Sequence, residues 1–117
     1  MSGITTHVLD TSSGRPAAQI RVALEYHRAQ EQQWMTLGHG VTDRQGRQGT
    51  LLTEQQLQQL RTGRYRLIFE IHDYFLAQKI ESFYPQACID FFVKDTNEHY
   101  HIPLLLNPFG YTTYRGS

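Results

Sequence analysis

The sequence is short of the residues that staple or anchor small proteins. Its 117 residues hold one cysteine, Cys88, which excludes an intramolecular disulfide and a thiolate metal cluster. Basic and acidic residues balance at 11 each with no basic block, so bulk charge gives neither nucleic acid nor an anionic membrane a reason to bind. No run approaches the ~18 apolar residues of a transmembrane helix. The opening Met-Ser-Gly-Ile-Thr-Thr lacks the basic and apolar regions of a signal peptide, and the closing Arg-Gly-Ser is not a peroxisomal tripeptide. A cytoplasmic location is the resulting expectation. Also missing are a Gly-x-Ser-x-Gly elbow, a phosphate-binding loop, a dinucleotide fingerprint and an EF-hand loop.

What is present is β patterning. A chain of this length is expected to form one domain over residues 1–117 and to bury about two-thirds of its unfolded surface. In Gln19 to His27, Ile20, Val22, Leu24 and Tyr26 alternate with polar residues, the signature of a half-buried strand. Tyr65, Leu67, Phe69 and Ile71 repeat the pattern, as do Ile89, Phe91 and Val93. Ile4 to Asp10 reads as a further strand, with Thr5, His7 and Leu9 on one face. The last nineteen residues hold two β-like runs joined by Asn107-Pro108-Phe109-Gly110, where Pro presets φ and Gly admits positive φ. The expectation is an all-β, two-sheet antiparallel sandwich of seven or eight strands. Asp73 is a plausible N-cap for a short helix to Ile80, and Thr53 to Leu60 allows one or two further helical turns.

The candidate chemistry rests on histidine, whose pKa suits proton transfer near neutrality. His99 and His101 share a strand face, and His7 could complete a three-histidine, zinc-like set. Arg44 and Arg47 sit in a glycine-flanked turn where a guanidinium could meet a carbonyl or oxyanion. By residue type alone the two arginines are equal candidates. Ser117 carries a hydroxyl and the terminal carboxylate, and as a nucleophile it would need a base.

Two stretches resemble the transthyretin-related 5-hydroxyisourate hydrolases. Thr6-His-Val-Leu-Asp-Thr-Ser-Ser-Gly-Arg-Pro-Ala17 is similar to the family's opening motif, and Tyr100-His-Ile-Pro-Leu-Leu-Leu-Asn-Pro-Phe-Gly-Tyr-Thr-Thr-Tyr-Arg-Gly-Ser117 to its closing one. Asp43 to Arg47 resembles the central turn, and Phe83-Tyr-Pro85 a later loop. Asn107, Phe109 and Thr112 stand where serine, tyrosine and serine are frequent, none of them at a site position. The resemblance implies a transthyretin-like sandwich whose one short helix is Asp73 to Ile80. It implies hydrolysis of 5-hydroxyisourate to 2-oxo-4-hydroxy-4-carboxy-5-ureidoimidazoline in urate degradation. His7, Arg47, His101 and Ser117 match the catalytic positions, and Tyr114 joins them as a substrate contact. Which histidine is the base stays open. No metal and no cofactor are implied. The partners implied are the substrate and three further copies, in a homotetramer that is a dimer of dimers with sites at the dimer–dimer interface. The alternative from another class is a small-ligand carrier of the transthyretin kind, without catalysis.

Overall fold

The computed structural model describes residues 3–117. Met1 and Ser2, the start of the segment read above for a leader, lie outside the described residues. The elements run β1 (Gly3–Asp10), β2 (Arg15–Pro16), β3 (Arg21–Arg28), β4 (Gln33–Val41), β5 (Arg47–Gln48), α1 (Glu54–Gln58), β6 (Gly63–Phe69), α2 (Ile71–Leu76), β7 (Ala87–Val93), β8 (His99–Asn107) and β9 (Gly110–Thr113). One sheet has the order β2-β1-β8-β9, with β5 also pairing β1. The other has the order β4-β3-β6-β7. Seven strands have four or more residues, and β2 and β5 are two-residue pairings at the margin of the first sheet.

The alternation in the sequence produces the two inner faces. Val22 and Leu24 of β3, Leu67 and Phe69 of β6, and Val93 of β7 are buried against Ile4 and Val8 of β1 and Ile102, Leu104 and Leu106 of β8. A period of two in each strand sends these residues inward and their neighbours to the outer faces. The pairing departs from the antiparallel expectation at one place: β1 and β8 run parallel, in register from Gly3↔His99 to Asp10↔Leu106. This pairing sets Thr5 beside His101 and His7 beside Pro103.

The helices also differ from expectation. α2 starts at Ile71 and ends at Leu76, earlier than Asp73 to Ile80. Ile71 and Phe75, four residues apart and both buried, fix the helical face by packing. Asp73 is not a cap; it lies in the first turn and pairs with Arg21 at 2.6 Å. Lys79, at φ 60°, closes the segment beyond. A second helix, α1, forms in the glutamine-rich stretch. Its cap is reciprocal: Gln56 N–H donates to the Thr53 hydroxyl at 3.1 Å, and Thr53 N–H to Gln56 Oε1 at 2.9 Å. Gln56 Nε2 also donates to the Leu37 carbonyl at 2.9 Å, tying α1 to β4.

Asp10, the aspartate of the opening motif, closes the first sheet around one buried carboxylate. Its oxygens accept from Ser12 N–H (3.0 Å), Ser13 N–H (3.2 Å) and the Tyr74 hydroxyl of α2 (2.8 Å). Burial opposes ionisation, but hydrogen bonds from Ser12, Tyr74 and Ser13 outweigh it and hold the pKa below the ordinary 3.8. The stability this group supplies is thus present above that value and lost as pH falls below it. Asp10→Ala is expected to lower stability by about 2–3 kcal/mol, because several charge-assisted hydrogen bonds to one buried carboxylate vanish together. That loss corresponds to a fall of roughly 10 °C in Tm. A calorimetric scan showing under ~2 °C would remove Asp10 from the fold's supports.

Candidate active site

The site grows from three segments that the β1–β8 pairing gathers. The first is the turn before β5. Asp43 Oδ1 accepts from Gln45 N–H and Arg47 N–H, both at 2.9 Å, while Asp43 N–H donates to the Arg47 carbonyl at 2.8 Å. Gly46, at φ +77°, makes the sharp bend, and a Cβ there would sit 2.3 Å from the Val8 carbonyl oxygen. The backbone N–H of Arg47 is the main cause holding the Asp43 carboxyl below its ordinary pKa, helped by Gln45 N–H and the nearby Arg47 and His7. The result is that β5 pairs β1 with Arg47 directly opposite His7.

The second segment is the chain end. After β9 the chain rejoins β8 through a bridge between His101 and Gly116, with Gly116 N–H donating to the His101 carbonyl at 2.8 Å. Glycine suits the close approach: a Cβ would lie 2.7 Å from His101 Cδ2 and 3.2 Å from Pro103 Cγ, so a larger residue would displace the imidazole. Gly116 thus lets the tail pass against the imidazole and brings Ser117 to it. The third segment is the outer face of β1 and β8, where Thr5 stands between the two histidines. Its hydroxyl oxygen is 2.8 Å from His101 Nδ1 and 2.9 Å from His99 Nε2.

These segments surround an open cavity of about 300 Å³, lined by Thr5, Thr6, Arg47, Gln48, Gly49, His99, His101 and Ser117. Of the five residues singled out from the sequence, Arg47, His101 and Ser117 line it. His7 stands one step along β1, across from Arg47, with Nε2 donating to the Gln45 carbonyl at 2.8 Å. A carbonyl only accepts, so that bond assigns the proton on Nε2. Tyr114 lines a different cavity of the protomer, beside Phe91, Tyr100 and Arg115. Around it the regular sheet stops at Thr113 and resumes only at Gly116. Arg44 is exposed in the same turn as Arg47 and is not among the lining residues. Thr5 and Gln48 line the cavity without having been singled out. For Thr5 the signal was there, since it shares a strand face with His7.

Burial is the largest influence on His101, followed by the positive charge of Arg47 and the neighbouring His99 and His7. Together they hold its pKa below the ordinary 6.5. The imidazole is therefore neutral at physiological pH and ready to accept a proton. Among the described residues, no three His, Cys, Asp or Glu side chains converge as metal ligands would. The cavity's chemistry is that of an imidazole, a guanidinium carried on an anchored turn, and Ser117, on a polar surface.

Comparison with known proteins decides the family. The family model described as "Transthyretin: HIUase/Transthyretin family" matches residues 4–116. The chain belongs to the HIUase/Transthyretin family. A 5-hydroxyisourate hydrolase of Mus musculus is 43% identical over 116 residues, covering 99% of this chain and 96% of that protein. Among solved structures, the 5-hydroxyisourate hydrolase of Klebsiella pneumoniae superposes with a TM-score of 0.83 at 38% identity, over 100% of this chain and 94% of the other. Sea bream transthyretin, solved in complex with thyroxine, superposes at 0.89 with 31% identity, over 97% and 94%. The HIUase/Transthyretin fold thus accommodates both a named hydrolase and a ligand-bound transthyretin, and overall shape does not separate them. The side chains on the outer face of β1, β5 and β8 must.

Proposed function

We propose that this protein hydrolyses 5-hydroxyisourate to 2-oxo-4-hydroxy-4-carboxy-5-ureidoimidazoline, a step of urate degradation. The observation that carries this reading is the polar lining of the β1–β5–β8 cavity: a neutral His101, a turn-anchored Arg47 and the Ser117 terminus meet there. Water attacks an acyl carbon of the six-membered ring. The hydroxide oxygen bonds to that carbon, the C–N bond breaks, and the water's proton ends on the leaving nitrogen. His101 takes that proton through Nε2, because its Nδ1 is engaged by Thr5. Arg47 stabilises the oxyanion and the polar ring with its planar donors. His7 shares the charge and holds the Arg47 turn through Gln45, and Ser117 orients substrate or water.

A cavity of about 300 Å³ is at the small end for a ligand site, and it is open. Assembly as a dimer of dimers, with sites at the dimer–dimer interface, would enclose it. The reaction needs no cofactor, nucleic acid or membrane. No helix among the described residues is long and apolar enough to cross a membrane. The cytoplasm is the proposed compartment, where a lone Cys88 stays a thiol.

The second reading, a carrier, is favoured by the superposition on thyroxine-bound transthyretin. A carrier for an apolar ligand gains from an apolar channel, and this cavity presents imidazole, guanidinium and hydroxyl groups instead. The test is to generate 5-hydroxyisourate in situ from urate and urate oxidase and to follow its absorbance. Accelerated decay on adding this protein supports the hydrolase; an unchanged decay rate sinks it.

The depressed His101 pKa makes a second expectation. Catalysis by neutral His101 should persist below pH 6.5, so the acid limb of kcat/KM should fall under the free-imidazole value. The same sign governs folding: stability is full above 6.5 and declines as pH falls below it, since the unfolded chain binds the proton better. An acid limb above 6.5 would contradict this assignment of the base.

A further inference from the structure

Thr5 has a place in the cavity that the proposed chemistry does not yet use. On the parallel pair it is the register partner of His101, while Gly3 is that of His99. The Thr5 side chain therefore rises between the two rings, which stack 6.4 Å apart at 19°. Its oxygen is within hydrogen-bond distance of both.

A hydroxyl carries one proton and cannot donate to two acceptors. At least one ring must donate to Thr5. Two arrangements run as a directed chain through all three groups. In one, His101 Nδ1–H donates to Thr5 and the Thr5 hydroxyl donates to His99 Nε2. In the other, every direction reverses, and His101 carries its proton on Nε2 instead. Only the first leaves a lone pair on His101 Nε2, the atom that must accept a proton from water.

We infer that Thr5, anchored by His99, is a positioning residue that fixes the tautomer and orientation of His101 for water activation. This inference rests on the hydrolase reading above. In the cycle, His101 Nε2 accepts the water proton as the hydroxide bonds to the acyl carbon. The imidazolium keeps its Nδ1–H bond to Thr5. The Nε2 proton then passes to the leaving nitrogen as the C–N bond breaks, and the starting tautomer returns. Thr5 gives up no proton, and no geometry has to be rebuilt between turnovers. The other groups facing His101 are His7 from β1, Arg47 from β5 and the Ser117 tail. None of them has a hydrogen bond to Nδ1, so the tautomer is set from the Thr5 side.

The experiment compares Thr5→Val, which keeps the shape and removes the hydroxyl, with Thr5→Ser, which keeps the hydroxyl. Thr5→Val is expected to lower kcat on the order of tenfold or more, as loss of a histidine's orienting partner does elsewhere. KM should stay within about twofold, because the lost interaction is not one with substrate. Thr5→Ser should restore kcat to near the wild-type value. Independently, nitrogen NMR of the resting wild-type protein should report His101 as the Nδ1–H tautomer, and Thr5→Val should shift it toward Nε2–H. A resting wild-type His101 protonated on Nε2, or wild-type kcat in Thr5→Val, would overturn the inference. If the wild type itself fails to accelerate decay of 5-hydroxyisourate, the hydrolase reading falls, while the tautomer spectra still judge what Thr5 does. The wild-type spectrum also stands if Thr5→Val fails to fold.

Discussion

His101→Ala is expected to lower kcat/KM for 5-hydroxyisourate by roughly 10²–10⁴-fold, the range general-base removal commonly costs. Its Tm should move by no more than a few degrees. The side chain lies on the outer face of β8, while the fold rests on Ile102, Leu104 and Leu106 behind it. The β8–tail bridge uses the His101 backbone, which alanine retains. The control is His99→Ala. That ring lines the cavity and bonds to Thr5 but takes no proton in the proposed reaction, so its loss should cost less than the loss of His101. The two substitutions on one strand face therefore separate base from support. Equal, large losses from both would make the pair act as a unit. Wild-type activity in His101→Ala would move the base to another residue.

The sandwich was legible because each long strand carries its own record. Val22 and Leu24, Leu67 and Phe69, and Ile89 and Val93 alternate where a buried face requires it. The parallel β1–β8 pair was not legible, because it joins segments more than ninety residues apart and parallel pairing leaves no local mark. The helix starting at Ile71 was missed for a related reason. Asp73 had the better local credentials as a cap, but burial of Ile71 and Phe75 decided the start. In the loop hairpin, Asn107 pairs with Gly110 and accepts the Phe109 N–H at 2.9 Å. The residues with positive φ do not include Gly110, so the turn rests on Asn107 rather than on glycine's freedom. For the site, residue types alone left Arg44 and Arg47 level. The motif resemblance chose Arg47; in the turn, Asp43 grips the Arg47 backbone and β5 sets it opposite His7. Tyr114, which came with the same resemblance, follows the end of β9 at Thr113 and lines another cavity of the protomer.

Arg47→Ala should cost about 10²–10³-fold in kcat/KM, the effect of removing one preorganised donor to a developing oxyanion. It should also move a second observable. Arg47 is the first charged neighbour among the causes that depress the His101 pKa. Without it the acid limb should rise toward the ordinary 6.5 while burial keeps it from reaching that value. Arg47→Lys separates the two roles. The charge remains, so the acid limb should stay near the wild-type position, but the planar, two-pronged donor is lost, so much of the rate should not return. A lysine that restored full activity would show that charge alone is required at this position. A limb unmoved in Arg47→Ala would show that burial, and not the guanidinium, keeps His101 neutral. Because Arg47 acts on both the oxyanion and the base, its removal should cost more at pH 6 than at pH 8. At the lower pH the variant's His101 is partly protonated as well as deprived of its electrostatic partner.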